Sequence, residues 1–184
     1  IGCCCDNVSK RLTEPDEDLV ITLYGVPVGG TLGTDIVHTL TILDDDGPPV
    51  IEFTTAIENV SESVGTKNVE VTLSHPSTFA ITVAYAVSGT STKPIDALQD
   101  HDLVNGSLNF PANTTSVLIP IAITPDSSDE DDESIIIMLS APTNASLGPT
   151  NPYTLIIQDD DGPPEIRWTL SGDSQTESAG LVTV

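Results

Sequence analysis

Basic side chains are scarce in this chain. Its 184 residues include 5 lysines and arginines against 28 aspartates and glutamates, which gives a formal net charge of −23 at pH 7. Nucleic acids and anionic membrane surfaces both attract clustered Lys and Arg side chains. The charge therefore argues against nucleic acid and against an anionic membrane surface as partners.

Aromatic residues and long apolar runs are also missing. Aromatics make up 4% of the chain and hydrophobic residues 38%, so we expect a core of valine, isoleucine and leucine. No run approaches the roughly 18 apolar residues of a membrane span, so we expect no membrane insertion. The chain begins with neither Met nor a signal-peptide pattern, from which we expect a processed or excised piece of a longer protein.

Cysteine occurs at three adjacent positions only, Cys3, Cys4 and Cys5. Adjacent cysteines rarely have the Cα separation and orientation that a disulfide needs. Small buried strand residues are the favoured interpretation, and an intermolecular disulfide or metal binding are the alternatives.

The acidic residues are clustered, and the clusters repeat. The segment Asp44–Pro49 (DDDGPP) recurs as Asp159–Pro164, an offset of 115 residues, and Asp16–Leu19 lies over Asp132–Ile135 at an offset of 116. Such self-similarity is typical of tandem repeats. We predict that residues 1–49 are the tail of one repeat, residues 50–164 a complete repeat and residues 165–184 the head of a third, within a longer protein.

The complete repeat alternates apolar and polar residues with period 2, the pattern of half-buried strands. About seven strands follow, separated by Gly, Pro, Asn, Ser and Asp turns, and Pro120 indicates an edge or a bulge. The expected strands are 50–60, 69–73, 80–87, 107–110, 117–123, 135–139 and 153–157. Seven short strands and no helical period predict an all-β, immunoglobulin-like β-sandwich. The Gly-Pro-Pro that ends each repeat is interpreted as a stiff joint to the next sandwich.

Within the complete repeat, carboxylates concentrate in the segments between strands. They are Glu62, Asp100, Asp102, the run Asp126–Glu133 and the triplet Asp159–Asp161. Like charges at this density repel, and a hard cation with many oxygen ligands, such as Ca²⁺, would offset the repulsion. A solvated acidic loop is the alternative for any single run. Zinc is disfavoured because only His101 accompanies these loops.

Enzymatic signals are weak. The three histidines, His38, His75 and His101, form no triad pattern, and no aromatic platform accompanies the acidic pairs that a glycosidase would use. We therefore expect no enzyme.

Five Asn-x-Ser/Thr sequons occur, which is more than composition predicts. They suggest N-glycosylation of an exported protein, and accidental sequons in a Ser/Thr-rich sandwich are the alternative. The sequons begin at Asn7, Asn59, Asn105, Asn113 and Asn144, of which Asn113 and Asn144 fall in apparent turns.

The order of these motifs resembles the Calx-beta domain. Glu62–Gly65 reads Glu-x-x-Gly, and Asp100–Phe110 stands where the family usually reads Asp-Tyr…Gly-x-Leu-x-Phe, with His101 in place of Tyr. The acidic loop Asp126–Glu133 and the triplet Asp159–Asp161 follow in the family's order. Thr124-Pro125-Asp126 replaces a commoner Asp pair, which leaves the number of calcium ions open.

The resemblance implies a seven-stranded sandwich that binds Ca²⁺ at one end, near the joint to the next domain. The ligand candidates that it implies in the complete repeat are Glu62, Asp100, Asp126, Glu130, Glu133, Asp159, Asp160 and Asp161, with a carbonyl from Ser128. Those of the first repeat are Glu14, Glu17, Asp44, Asp45 and Asp46, and Glu177 is the candidate in the third.

Three functions follow from the repeats and the resemblance together. The first is a structural array, an extracellular or cell-surface stalk, adhesin or filament in which Ca²⁺ stiffens the joints. Its partners would be neighbouring repeats of the same chain, with self-association into filaments as an extension. The alternative is a regulatory calcium sensor of a membrane protein, and a ligand-binding adhesin is a lesser one.

Overall fold

The structure is a computed structural model that describes residues 12–25, 28–91, 100–167 and 172. These residues form eleven strands, one 3-10 turn at Glu62–Val64 and no α-helix. The predicted all-β class is therefore confirmed. The strands are β1 Glu17–Thr22, β2 Val37–Ile42, β3 Val50–Phe53, β4 Ile57–Ser61, β5 Thr66–Leu73, β6 Ile81–Gly89, β7 Gly106–Phe110, β8 Ser116–Ala122, β9 Glu133–Thr143, β10 Ser146–Leu147 and β11 Tyr153–Gln158.

We refer to residues 1–49 as the first repeat and to residues 50–164 as the complete repeat, as predicted above. Residues 50–158 form a sandwich of two sheets. One sheet has the order β10-β3-β5-β8, and the other has the order β4-β11-β9-β6-β7. Alternate residues of both sheets point inward, so the core lies between them and is made almost entirely of aliphatic side chains. Its most enclosed members include Ile51, Val71, Ile121, Ile135, Ile137 and Leu155, with Phe53 and Tyr153 as a tilted aromatic pair whose ring centres lie 5.3 Å apart.

The single strand expected over 50–60 is wrong, because the chain changes sheets within it. β3 pairs antiparallel with β5 in one sheet, whereas β4 pairs parallel with β11 in the other. The last bond to β5 is donated by Thr54 N to Glu70 O (3.3 Å), and Ala56 O accepts the first bond from β11. The buried alternation ends at Phe53 for this reason, and Ile57 is exposed.

Other strand limits differ more modestly from the sequence prediction. β9 is longer than expected at both ends, and the two-residue strand β10, which pairs with β3, was not predicted. Pro120 lies on β8, which pairs only with β5 and so forms a sheet edge. The predicted edge position is consistent with the absence of an N–H on proline.

The first repeat contributes the hairpin-like pair β1 and β2. Glu17 pairs with Ile42 in this sheet, and Glu133 pairs with Ile157 in the complete repeat. These pairs occupy equivalent positions at the 116- and 115-residue offsets. The two repeats therefore share the register of these strands. Among the residues described, the inward-equivalent side chains of β1 and β2 stay exposed, including Leu19, Ile21, Leu40 and Ile42.

Candidate calcium site

The acidic loops of the complete repeat meet at one end of the sandwich. Four segments converge there: the 3-10 turn after β4, the segment before β7, the loop between β8 and β9, and the triplet after β11. We call this set the acidic pole, and its carboxylates are Glu62, Asp100, Asp126, Glu130, Asp131, Asp132, Glu133, Asp159, Asp160 and Asp161.

Local sequence places Glu62 at the centre of the acidic pole. Ser61 caps the 3-10 turn by accepting the N–H of Ser63, and Gly65 ends it with φ +78°, a conformation that glycine adopts without strain. Gly65 O then accepts the N–H of Ile123 at 2.7 Å. The Glu-x-x-Gly motif therefore turns the chain into β5 and leaves Glu62 only 8% exposed.

Three carboxylates form the tightest group. Ligand oxygens of Glu62, Asp126 and Asp161 all lie within 4.8 Å of one another. Glu62 Oε1 accepts the main-chain N–H of Asp126, which holds the β8–β9 loop over the turn. Asp161 Oδ2 is enclosed and accepts no hydrogen bond within the described part of the chain. A buried carboxylate oxygen that accepts no hydrogen bond and lies beside two further carboxylates is suited to bind a cation.

A second group lines a small pocket next to these three. Glu62 belongs to both groups, and the other polar members are Asp100, Glu130, Asp131, Glu133 and Asp159, with Ile157 as the floor. Asp100 is 8% exposed, and Glu133 begins β9. Glu62 thus lies between two clusters of oxygen ligands.

Burial and mutual repulsion raise the pKa values of several carboxyl groups in the acidic pole. Burial, followed by the hydrogen bond and charge of Asp100, raises the pKa of Glu133 to about 8. Burial also raises the pKa of Glu62, Glu130 and Asp161 above the usual carboxyl range, and neighbouring carboxylates add to the rise. The group therefore costs free energy when fully ionised, and a divalent cation would remove that cost.

Hydrogen bonds from the main chain hold the closing triplet against the β8–β9 loop. Asp159 N donates to Asp132 Oδ1 (3.2 Å), Glu130 N donates to Asp159 Oδ2 (3.3 Å), and Asp161 N donates to Asp159 Oδ1 (3.4 Å). Ser128 N donates to Asp126 Oδ1 at 2.7 Å. These bonds shape the loop around its carboxylates.

Asp160 is the candidate that the structure does not bring into either group. Its Oδ2 accepts the hydroxyl of Ser61 at 2.5 Å, and hydrogen bonds from Ser61 and Ser63 lower its pKa. The parallel pairing of β4 with β11 explains the contact with Ser61, since Ser61 pairs with Gln158, two residues before Asp160.

The first repeat reproduces this framework. Asp44 N donates to Asp16 Oδ1 (2.9 Å), Glu14 N donates to Asp44 Oδ2 (3.3 Å), and Asp46 N donates to Asp44 Oδ1 (3.4 Å). Each bond has its counterpart in the complete repeat. The candidates Glu14, Glu17, Asp44, Asp45 and Asp46 line one open depression. Asp46 differs from Asp161 in that its Oδ2 accepts the N–H of Leu12 at 3.0 Å.

Sequence reasoning did not single out Asp131, which lines the pocket, or Asp132 and Ser61, which orient the triplet. The repeat itself offered a signal for Asp132, because Asp16 occupies the equivalent position. No such signal existed for Ser61, whose role depends on the parallel pairing of β4 with β11.

Several other sequence predictions can be located. Asn59 lies in β4, and Asn113 and Asn144 have positive φ. Asn105 Oδ1 accepts the N–H of Val87, and Asn144 Nδ2 donates to Ala80 O. Asn7, the three cysteines and Glu177 lie outside the described residues. Glycosylation stays a prediction.

The described part of the chain contains no helix of the length and apolarity that a membrane crossing requires.

Comparison with known proteins identifies the fold and the family. The family model described as Calx-beta domain matches residues 44–161. The sodium/calcium exchanger Calx of Drosophila melanogaster is 28% identical over 136 residues, which are 73% of this chain but only 14% of the exchanger.

Solved structures show the same similarity. The apo-form Calx CBD1 domain matches 62% of this chain and 99% of its own with a TM-score of 0.55 and 24% identity. The calcium binding domain CBD12 of CALX1.1 matches 60% of this chain and 44% of its own, with a TM-score of 0.54 and 26% identity. Since the family model spans more than half of the residues, this chain belongs to the Calx-beta domain family.

Proposed function

We propose that the acidic pole of the complete repeat binds Ca²⁺ and that the chain serves as a calcium-binding regulatory module. The observation that carries this proposal is the trio Glu62, Asp126 and Asp161, whose oxygens lie within 4.8 Å of one another. The described residues fit the ion because they offer carboxylate oxygens, an enclosed oxygen without a donor, and no sulfur or imidazole ligand.

The residues that would hold the ion divide between the two groups. Glu62, Asp126 and Asp161 form the first, and Asp100, Glu130, Glu133 and Asp159 extend it through the pocket. Calcium would supply positive charge that neutralises the pole and links three loops. In the first repeat, Asp46 Oδ2 accepts a main-chain N–H, so this oxygen is less available to a cation than the enclosed Asp161 Oδ2.

The comparisons support a regulatory role more than the extracellular stalk. The similar proteins include a sodium/calcium exchanger, of which this chain covers 14%, and the calcium binding domain CBD12 of CALX1.1, of which it covers 44%. Transport itself is therefore not assigned to this chain. A location outside the cell, an adhesin or filament role and the lack of catalysis stay predictions.

A structural array is the second candidate, favoured by one observation. Three main-chain bonds to the closing triplet recur in both repeats with the same donors and acceptors. This recurrence supports an equivalence between residues 1–49 and the end of residues 50–164, and the head of a third repeat at 165–184 stays a prediction. In such an array, calcium at each acidic pole would stiffen the Gly-Pro-Pro joint.

Calcium titration of the whole chain tests the main proposal. Calorimetry should show saturable binding, and free calcium at 100 times the dissociation constant should add about 2.7 kcal/mol to the free energy of unfolding. Chelation should reverse the effect. Equal stabilisation by Mg²⁺ at the same concentration, or none by Ca²⁺, would overturn the proposal, since Mg²⁺ prefers fewer protein ligands.

A further inference from the structure

The main chain of Thr13, in the first repeat, is hydrogen-bonded to the complete repeat. Thr13 forms an isolated parallel bridge with Ser77. Thr13 N donates to Pro76 O at 3.4 Å, and Thr78 N donates to Thr13 O at 3.0 Å. The hydroxyls of Ser77 and Thr78 donate to the same carbonyl at 3.3 and 3.2 Å. We call residues 74–79 the receiving loop.

The receiving loop is held in place by its own repeat. Ser77 is 3% exposed, its carbonyl accepts the N–H of Asn113 at 2.9 Å, and its hydroxyl accepts the N–H of Phe79 at 3.1 Å. Ser74 exchanges two bonds of 2.9 Å with the main chain of Val50, the first residue after Gly-Pro-Pro. The loop therefore has a defined position relative to the joint before anything docks on it.

Thr13 and its two neighbours are held in place by hydrogen bonds within the first repeat. Its neighbours Leu12 and Glu14 donate their N–H groups to carboxylates of Asp46 and Asp44. The hydroxyl of Thr13 donates to Gly47 O at 2.9 Å. Three consecutive residues are thus tied to the segment that leads into the joint, and Thr13 presents its N–H and C=O outward to the next repeat.

The structure assigns a docking interface to these groups: we propose that the main chain of Thr13 and the receiving loop set how one repeat sits on the next, without a metal ion. The interface goes beyond calcium binding, because its donors and acceptors are amides, carbonyls and hydroxyls rather than carboxylates. These groups bond to one another directly, with no ion between them. Their supports Asp44 and Asp46 are candidate ligands of the first repeat, so exchange measured in calcium and in chelator tests whether loading those carboxylates moves Thr13.

Main-chain pairing also explains how the interface tolerates sequence change. Asp129 occupies the position equivalent to Thr13. The flanking bonds from Glu130 to Asp159 and from Glu14 to Asp44 are equivalent and measure 3.3 Å in both repeats. The other flanking bond differs, because Ser128 N donates to Asp126 Oδ1 whereas its equivalent Leu12 N donates to Asp46 Oδ2. Asp129 therefore shares one of the two ties that hold the main chain of Thr13.

The test uses the full chain and amide hydrogen exchange read by NMR. In Thr13→Pro the N–H of residue 13 is absent, whereas Thr13→Ala keeps both main-chain groups and loses only the hydroxyl. Thr13→Pro keeps the carbonyl that accepts from Thr78 N, but it loses the bond to Pro76 O and places a ring where that donor lay, so we expect the docked geometry to open. The Thr78 amide should then be protected in the wild type and in Thr13→Ala and should lose that protection in Thr13→Pro. Protection should be the same in calcium and in chelator.

A second pair of variants approaches from the opposite side, so that a local folding defect in the hairpin cannot imitate the result. Thr78→Pro removes the N–H that donates to Thr13 O, and if the interface opens as a unit the Thr13 amide, which donates to Pro76 O, should lose protection as well. Thr78→Val removes only the hydroxyl and should leave the Thr13 amide protected. Cross-strand contacts between β1 and β2 report that the hairpin is intact.

Three results would overturn the docking interface: an exchanging Thr78 amide in the wild type, equal protection in Thr13→Pro, or equal loss in Thr13→Ala. Loss of protection on chelation alone would overturn its independence from metal. A failure of calcium binding would appear separately, in the calorimetric titration, and would leave these exchange measurements unaffected.

Discussion

Glu62 Oε1 accepts the main-chain N–H of Asp126, although 64 residues separate the two in sequence. This contact joins the 3-10 turn after β4 to the loop before β9, and it places two carboxylates beside Asp161. The glutamate is both a structural acceptor and a candidate ligand. Substitution can separate these roles, since an amide oxygen accepts the same N–H without carrying charge.

Glu62→Gln should weaken calcium binding while sparing the metal-free fold. The amide oxygen preserves the contact with Asp126, and removal of a buried negative charge relieves repulsion. We expect the calcium dissociation constant to rise at least about tenfold, equivalent to about 1.4 kcal/mol. Calorimetry measures the affinity, and thermal unfolding in chelator measures the fold.

Glu70→Gln is the matched control for that experiment. Glu70 lies on β5 between the inward-facing Val69 and Val71, so it belongs to the outer face of the sheet. This variant should leave calcium affinity unchanged. An affinity loss equal to that of Glu62→Gln would mean that overall charge, rather than the acidic pole, determines binding.

The metal-free protein should lose stability as pH rises from about 4.5 to about 8. Burial and Asp100 raise the pKa of Glu133 from an ordinary 4.5 to about 8. Between these values the folded chain binds a proton that the unfolded chain releases, so stability is complete below the lower value and is lost through the upper one. The raised pKa values of Glu62, Glu130 and Asp161 act in the same direction.

Asp160 acts outside this window, because serine hydroxyls lower its pKa from an ordinary 3.8, so its contribution is present throughout the range from about pH 4.5 to about 8 and is lost only as pH falls below about 3.8. Chemical denaturation at several pH values in chelator measures the net slope. Glu133→Gln should flatten the slope between about 4.5 and about 8, because the titrating proton is removed. A slope that persists unchanged in this variant would contradict the assignment to Glu133.

The order of the elements and most of the acidic pole could be predicted, because both depend on local pattern and on the repeat. Period-2 alternation predicts β5, β8 and β11. Glu62 and Asp159 come directly after strands, which predicts that they lie at an end of the sandwich. The switch of sheets at Thr54–Ala56 could not be predicted, since the apolar pattern continues to Val60 and only pairing with β11 distinguishes the two halves.

The orientation of Asp160 and the docking of Thr13 were unpredictable for a similar reason. Asp160 accepts the hydroxyl of Ser61 because β4 and β11 are neighbours in the sheet. Thr13 forms a bridge with Ser77 because residues of two repeats come into contact. Both contacts join residues that are distant in sequence. Neither residue type nor spacing carries that information.

Ile21 and Ile137 occupy equivalent positions in the two repeats but differ in burial. Ile21 is 50% exposed, whereas Ile137 is 0% exposed. Ile137→Ala should therefore destabilise the complete repeat by about 2–5 kcal/mol through the cavity that it leaves. Ile21→Ala in the same chain should change stability by about 0.5 kcal/mol or less.

Urea unfolding of both variants, in chelator, checks this difference. Because the two substitutions are chemically identical, the comparison isolates the effect of a covering sheet. A cost at Ile21 close to that at Ile137 would mean that the apolar side of β1 and β2 is covered in solution.

Tyr153→Phe should leave the chain equally stable or make it more stable by about 1 kcal/mol. The Tyr153 side chain is fully buried, and its hydroxyl has no hydrogen-bond partner among the described residues. Burial, with a smaller contribution from the charge of Glu58, raises its pKa, so the hydroxyl stays neutral. A buried hydroxyl without a partner costs about 1–3 kcal/mol, and phenylalanine removes that cost.

The ring contact with Phe53 is retained in this variant, so packing changes little. Tyr24→Phe is the control, because Tyr24 is 92% exposed and its hydroxyl is hydrated in both states. Urea unfolding measures both variants. A loss of more than about 1 kcal/mol in Tyr153→Phe alone would show that the hydroxyl binds a buried water molecule, which links it to neighbouring polar groups.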